Sequence, residues 1–297
     1  MSSSLTGTLS KGENYNNLQV VREDSPENLN AYFSGLKICV VTALKEELDS
    51  LMRYCCKPHE IVIHKNRVYY KLTFSKKGKE FSVIAHTLNQ MGISSMSINL
   101  TEIINVFSGL RYVGVIGIAA GANKESQKKG DILIPTAVFN YEMGKYIEIP
   151  DENNPEISRV IFESDYESHH IDSSIQQKIS IITNEAFLKE IMGEWIRQYK
   201  QIGCHEGNLA CGSAVIASEK KVKEIRGNVA RKCIGIDMES FAVSNLNQLK
   251  SNREIEFFII KAISDFAGVD KNDDDRVFAN DMAVKVFIEF CTILLIE

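Results

Sequence analysis

Four carboxylates stand just beyond short apolar runs of the 297-residue chain: Glu47 after Lys37 to Thr42, Asp237 and Glu239 after Lys232 to Ile236, and Asp265 after Glu256 to Ile263. Runs of this length and β-branched content read as strands, and in α/β sheets ligands sit beyond the carboxyl ends of strands. Carboxylates held there have three uses. They act as general acid and base in cleaving a glycosidic bond, they bind a divalent metal, or they cap the following helices. Taken singly, each residue also fits helix electrostatics. Glu239 opens a predicted helix, where the dipole favours an acid, and Glu47 lies among Lys45, Glu46 and Asp49 on what reads as a solvated face.

The elements that must position these groups are legible as alternating periods. Further strand-like runs fall at Val68 to Phe74, Phe81 to His86, Tyr112 to Ile118 and Ile132 to Phe139. Helical spacing appears at Leu44 to Met52, at Met96, Leu100, Ile103, Ile104 and Phe107, at Phe187, Ile191, Trp195 and Tyr199, and at Ala283, Val286, Phe287, Phe290 and Leu294. Strands alternating with helices predict an α/β layered domain. The turn Gly117-Ile118-Ala119-Ala120-Gly121 follows one strand, where glycines allow close backbone approach. Residues 1 to 35 are polar and are expected to form an extension, flexible or docked on a partner subunit, ahead of a domain over 36–297. The segment Tyr141 to Gln177 reads as a long excursion from the sheet, and Phe266 to Asp275 as a charged loop after Asp265.

Composition narrows the function classes. A formal net charge of -5 argues against a nucleic-acid-coating surface, so an anionic ligand must be held locally. The seven cysteines have neither zinc-type spacing nor the density of a disulfide scaffold and read as reduced, structural thiols, Cys55-Cys56 included. His169-His170 lies in a polar stretch and points to no metal. The apolar run from Met282 to Ile296 is interrupted by Lys285 and Glu289 and is too short to span a membrane, so the chain is expected in the cytoplasm.

The motifs Ala43 to Leu48, Gly117 to Gly121 with Gly130-Asp131-Ile132, Gly235 to Ser240, and Ala262-Ile263-Ser264-Asp265 occur in an order that resembles the nucleoside phosphorylase and nucleosidase superfamily. The nearest branch is similar to the methylthioadenosine/S-adenosylhomocysteine nucleosidases, and the resemblance runs from Leu36 to the C-terminus. It implies a three-layer α/β/α fold with a central mixed sheet, no cofactor or metal, a small-molecule purine nucleoside or nucleotide as ligand, and at least a homodimer. By the same resemblance Asp265 protonates the leaving base and Glu47 activates water. Met238 packs under the sugar and Glu239 accepts its hydroxyls. Ala119 and Ala120, with Val215 and Ile216 of the stretch Cys211 to Ile216, line the purine. Ser264 orients the acid, and Lys261 stands where the branch has an arginine.

This chain departs from that branch at Val215, in place of a stacking aromatic ring, at Ile118, in place of a serine, and at Lys261. No arginine flanks the first strand end before Arg53 or the glycine-rich turn, which favours water over phosphate as nucleophile. Phosphorolysis, a non-catalytic nucleotide sensor or nucleotide-depleting effector, and a metal hydrolase built on Asp237, Glu239 and Asp265 remain the alternatives. For a phosphate on the 5′ side, Lys145, Arg159, Lys271 and Arg276 are the candidate cations.

Overall fold

The computed structural model describes residues 19–22, 25–150, 158–229, 232–248, 255–268 and 272–296. Along the chain, β1 (Gln19–Arg22) and α1 (Pro26–Tyr32) precede β2 (Ile38–Thr42), α2 (Lys45–Met52), β3 (Glu60–His64), β4 (Arg67–Lys76), β5 (Lys79–Thr87) and α3 (Ile93–Val106). The middle holds β6 (Tyr112–Gly121), β7 (Ile132–Asn140), β8 (Gly144–Pro150), β9 (Ser158–Ser164), β10 (Ser168–His170), α4 (Ser173–Ile182) and α5 (Glu185–Met192). The last part holds β11 (Cys204–Cys211), α6 (Glu219–Glu224), β12 (Cys233–Asp237), α7 (Ser240–Gln248), β13 (Glu256–Asp265) and α8 (Asp273–Leu294).

The main sheet is mixed and runs β1-β3-β4-β5-β2-β6-β12-β11-β7-β10, with β13 paired to both β6 and β7. The pairings β6–β12–β11–β7–β13 and back to β6 close a circuit, so half of the sheet curls into a small barrel. Strands β2, β6 and β13 run parallel and are buried nearly throughout, which is why they read as continuous apolar runs rather than alternating ones. The helices pack as two sets, α2, α4 and α5 around α8, and α1 and α7 around α3, giving the α/β/α layering that the resemblance implies.

Several elements differ from the sequence reading, each for a physical reason. Within the first 35 residues, β1 adds a parallel strand to β3, and α1 buries Leu29 (0% exposed) and Phe33 (3% exposed) in this chain's own core. Residues 1–18 lie outside the described residues. The helical period from Phe187 to Tyr199 breaks at Gly193, whose φ of 49° ends α5 and leaves a 3-10 turn, Gly193–Arg197. Strand β11 is not among the apolar runs, because Cys204 to Asn208 holds only polar and small residues. In the excursion after Tyr141, β8 and β9 form an antiparallel pair, while 151–157 lies outside the described residues.

Helix α8 is tied to the sheet by aromatic packing. The Phe258 ring of β13 stacks on Phe287 at 5.9 Å and meets Phe290 edge-on at 5.3 Å. It also lies across β6 at Gly114, its register partner, where an added Cβ would sit 2.3 Å from the ring. Gly114→Ala is therefore expected to destabilise the fold by roughly 1–3 kcal/mol through overpacking. A urea unfolding midpoint equal to that of the parent chain would contradict this account.

Candidate active site

A cleft of about 220 Å³ opens where the ends of β2, β6, β12 and β13 converge, and it is completed by the loop after β11, by Met91 and by Arg276 of α8. Glu47, Met238, Glu239, Ala119, Ala120, Val215, Ile216, Ser264 and Asp265 all line it, so nine of the residues singled out in the sequence come together.

Asp265 reaches the cleft because β13 is irregular there. The register with β6 runs Ile263 to Ala119 and then Asp265 to Ala120, leaving Ser264 as an extra residue, a β-bulge that lets two consecutive side chains line one cavity. The Ser264 hydroxyl donates to Asp265 Oδ2 at 3.0 Å, and the Ala267 N–H donates to Oδ1 at 2.7 Å. Ala267 itself has φ 54°, a left-handed conformation that is uncommon outside glycine. The acid is thus held on two sides and half-buried.

Glu47, which lines the same cleft, is held by backbone at both of its oxygens. Its Oε2 accepts from Ala43 N (2.8 Å) and Leu44 N (2.9 Å), and Oε1 accepts from Ile118 N (2.9 Å). Room for it is made by Gly117, with φ 149°, where a Cβ would stand 1.9 Å from Glu47 Oε1. Burial pushes the Glu47 carboxyl above its usual range, against the pull of Lys261 and of the three N–H donors.

Glu239 Oε1 accepts from Gly92 N at 3.0 Å. Burial is the main force raising its carboxyl to about 7; Lys261 opposes this, while Asp237 and Glu47 add repulsion. Asp237 is occupied at the start of α7, where it accepts the Ser240 hydroxyl and, at 3.2 Å, the Ser240 N–H.

Lys261 stands apart from the other nine: it is 0% exposed and is not among the residues that line the cleft. Its Nζ lies 3.3 Å from Asp237 Oδ2 and 3.8 Å from Glu239 Oε2. Burial alone would pull its ammonium down, but Asp237, Glu239 and Glu47 outweigh that and keep it charged. Asp237 and Glu239, two of the three carboxylates that suggested a metal site, converge on this ammonium.

Other candidates fall elsewhere. Asp131 pairs with His205 at 2.6 Å and accepts from Gly203 N at 2.7 Å, which ties the start of β7 to the residues entering β11. His169 stacks on Phe241 at 4.8 Å. Of the cations proposed for a 5′ phosphate, Arg276 lines the cleft, Lys145 pairs with Glu163 between β8 and β9, Arg159 sits on β9, and Lys271 lies outside the described residues. Met91 and Gly92 were missed, although the rule that picks out strand ends extends to the loop after Phe81 to His86. Among the described residues no helix is long and apolar enough to cross a membrane.

The family model described as the phosphorylase superfamily matches residues 37–295. The chain is 25% identical over 229 residues to the uncharacterized protein y4jS of Sinorhizobium fredii, across 74% of this chain and 52% of that protein, so it spans about half the length of this curated relative. Solved structures with the same fold include the 5′-methylthioadenosine/S-adenosylhomocysteine nucleosidase of Helicobacter pylori, with 17% identity, TM-score 0.62, 86% of this chain and 98% of that one. The futalosine hydrolase of Helicobacter pylori matches at 17% identity and TM-score 0.62, across 86% and 97% of the two chains. A nucleosidase of the first kind proposed in Borrelia burgdorferi, bound to adenine, matches at 19% identity and TM-score 0.64, across 86% and 99%.

The buried charge makes a stability prediction. Between the ordinary carboxyl value of 4.5 and about 7, Glu239 holds a proton in the folded chain that it has lost in the unfolded one. The folded state binds more protons, so its stability falls as pH rises through that window. Glu239→Gln removes this penalty and is expected to raise stability at pH 8 by on the order of 1–3 kcal/mol. The gain should vanish near pH 4, and thermal unfolding at the two pH values checks it; equal midpoints at pH 8 would contradict it.

Proposed function

The chain belongs to the phosphorylase superfamily, and from that premise we propose that it is an N-glycosidase that hydrolyses the base–ribose bond of a purine nucleoside or nucleotide. The observation that carries this reading is that Asp265, Glu47 and Glu239 line a single cleft. Cleaving an N-glycosidic bond requires a proton on the departing base and negative charge beside the cationic sugar that forms. In this reading Asp265, steadied by Ser264 and the Ala267 N–H, gives its proton to the purine ring nitrogen. The bond from C1′ to the base breaks, and its electron pair leaves with the purine.

Glu47, raised by burial, takes a proton from the water that attacks C1′. Glu239 accepts the sugar hydroxyls and Met238 packs beneath the ring. Ala119, Ala120, Val215 and Ile216 face the base, and the adenine found with the Borrelia burgdorferi protein supports an adenine-type ligand. The reading extends to a homodimer in the cytoplasm. Met91 and Val215, 44% and 59% exposed at the rim, are apolar surfaces that a second copy would cover.

Asp265→Asn keeps the size of the side chain and the acceptor for the Ala267 N–H but has no acidic proton to give. It is expected to lower the rate of base release by about 10²–10⁴ with the circular dichroism unchanged. Release of base from a panel of purine nucleosides and nucleotides is the assay, and an unaffected rate removes Asp265 from the chemistry.

A further inference from the structure

A second cleft, of about 570 Å³, lies against the first, and Arg276 lines both. The first turn of α2 divides them: Leu44 and Glu47 face the first cleft, Lys45 and Glu46 the second. Arg276 Nε donates to Glu46 Oε1 at 3.0 Å, so a guanidinium–carboxylate pair stands at the junction. Elsewhere on the second cleft, the exposed Arg53 guanidinium donates to the Ser50 hydroxyl at 2.7 Å and meets no carboxylate among the described residues. Asn280 also lines this cleft. It is 3% exposed, and its Oδ1 has no hydrogen-bond partner.

A buried amide and a cation without a carboxylate are costly to leave beside an apolar group, because neither regains what it loses from water. An apolar tail on the sugar would do just that. A polar, anionic one would not. The cleft also carries acids, but Glu46 is engaged by Arg276 and Asp49 by Lys45 at 2.7 Å, leaving Asp273. Whatever passes from the first cleft to the second must compete with Glu46 for Arg276. A phosphate matches the guanidinium fork as well as a carboxylate does and carries more charge.

We propose that the second cleft is the subsite for a phosphorylated 5′ arm, which makes the substrate class a nucleoside 5′-phosphate, with Arg276 at the junction and Arg53 beyond it. This rests on the reading of the first cleft as the nucleoside pocket. The 5′ phosphate takes Arg276 from Glu46, and its outer oxygens meet Arg53, while hydroxyl or bound-water hydrogens reach Asn280 Oδ1. The base and the cationic sugar stay at the carboxylate end, away from the phosphate.

The test is calorimetric binding to full-length Asp265→Asn, which holds ligand uncleaved, using adenosine, guanosine and their 5′-monophosphates as probes. For the base that binds, the 5′-monophosphate is expected to bind at least tenfold more tightly than its nucleoside. Arg53→Ala and Arg276→Ala, each added to that background, are expected to reduce the preference at least fivefold; both residues lie at the surface, and circular dichroism verifies folding. Equal affinity, no binding of either form, or a preference that survives both substitutions overturns the subsite. Base release by the parent chain separates the two readings. Release without any phosphate preference removes the subsite and keeps the N-glycosidase, whereas phosphate-dependent binding without release keeps the subsite and removes the N-glycosidase.

Discussion

The site is organised around one buried cation. Lys261 lies wholly inside the protein, in the middle of β13, within reach of the carboxylates of Asp237 and Glu239 and in the field of Glu47. Such a cluster is expensive to desolvate and is held because the ammonium answers the carboxylates; removing Lys261 would leave them stranded. The carboxylates outnumber the ammonium, so burial leaves an excess of negative charge, partly relieved by the raised proton affinity of Glu239 and Glu47. That excess faces the place assigned to the sugar. It favours a sugar becoming cationic and disfavours an anion as nucleophile in the same spot.

The same charge pattern gives the molecule a direction. The carboxylate end of the first cleft suits the sugar, and the cations Arg276 and Arg53 are displaced toward α8 and the far end of α2. A ligand with a cationic centre at one end and an anionic arm at the other fits this arrangement in one orientation only. The elements that enforce it are the closed circuit of strands, which brings the ends of β6, β12 and β13 together, and the aromatic seam of Phe258, Phe287 and Phe290, which presses α8 against them.

Much of this was legible in the chain. Glu47, Asp237, Glu239 and Asp265 announced themselves by following apolar runs, because strands buried on both faces leave an unmistakable pattern and their ends are where polar groups become affordable. Less visible was how Asp265 reaches the cleft, since a bulge at Ser264 and a left-handed Ala267 are matters of register and dihedral rather than composition. Nor was the setting of Lys261 legible: it was singled out for standing where the related branch has an arginine, and only the three-dimensional fold shows Asp237 and Glu239 gathered around it. Strand β11 and helix α1 escaped because short elements with mixed polarity are stabilised by what they pack against, and of the second cleft only Arg276 was singled out in the sequence.

The central claim is that water, not phosphate, attacks the sugar in this anionic pocket. Its most direct test is to run the base-release reaction in ¹⁸O-labelled water with inorganic phosphate present and to weigh the released sugar by mass spectrometry. The account predicts one ¹⁸O atom at C1 of that sugar. An unlabelled sugar recovered as its 1-phosphate would contradict it.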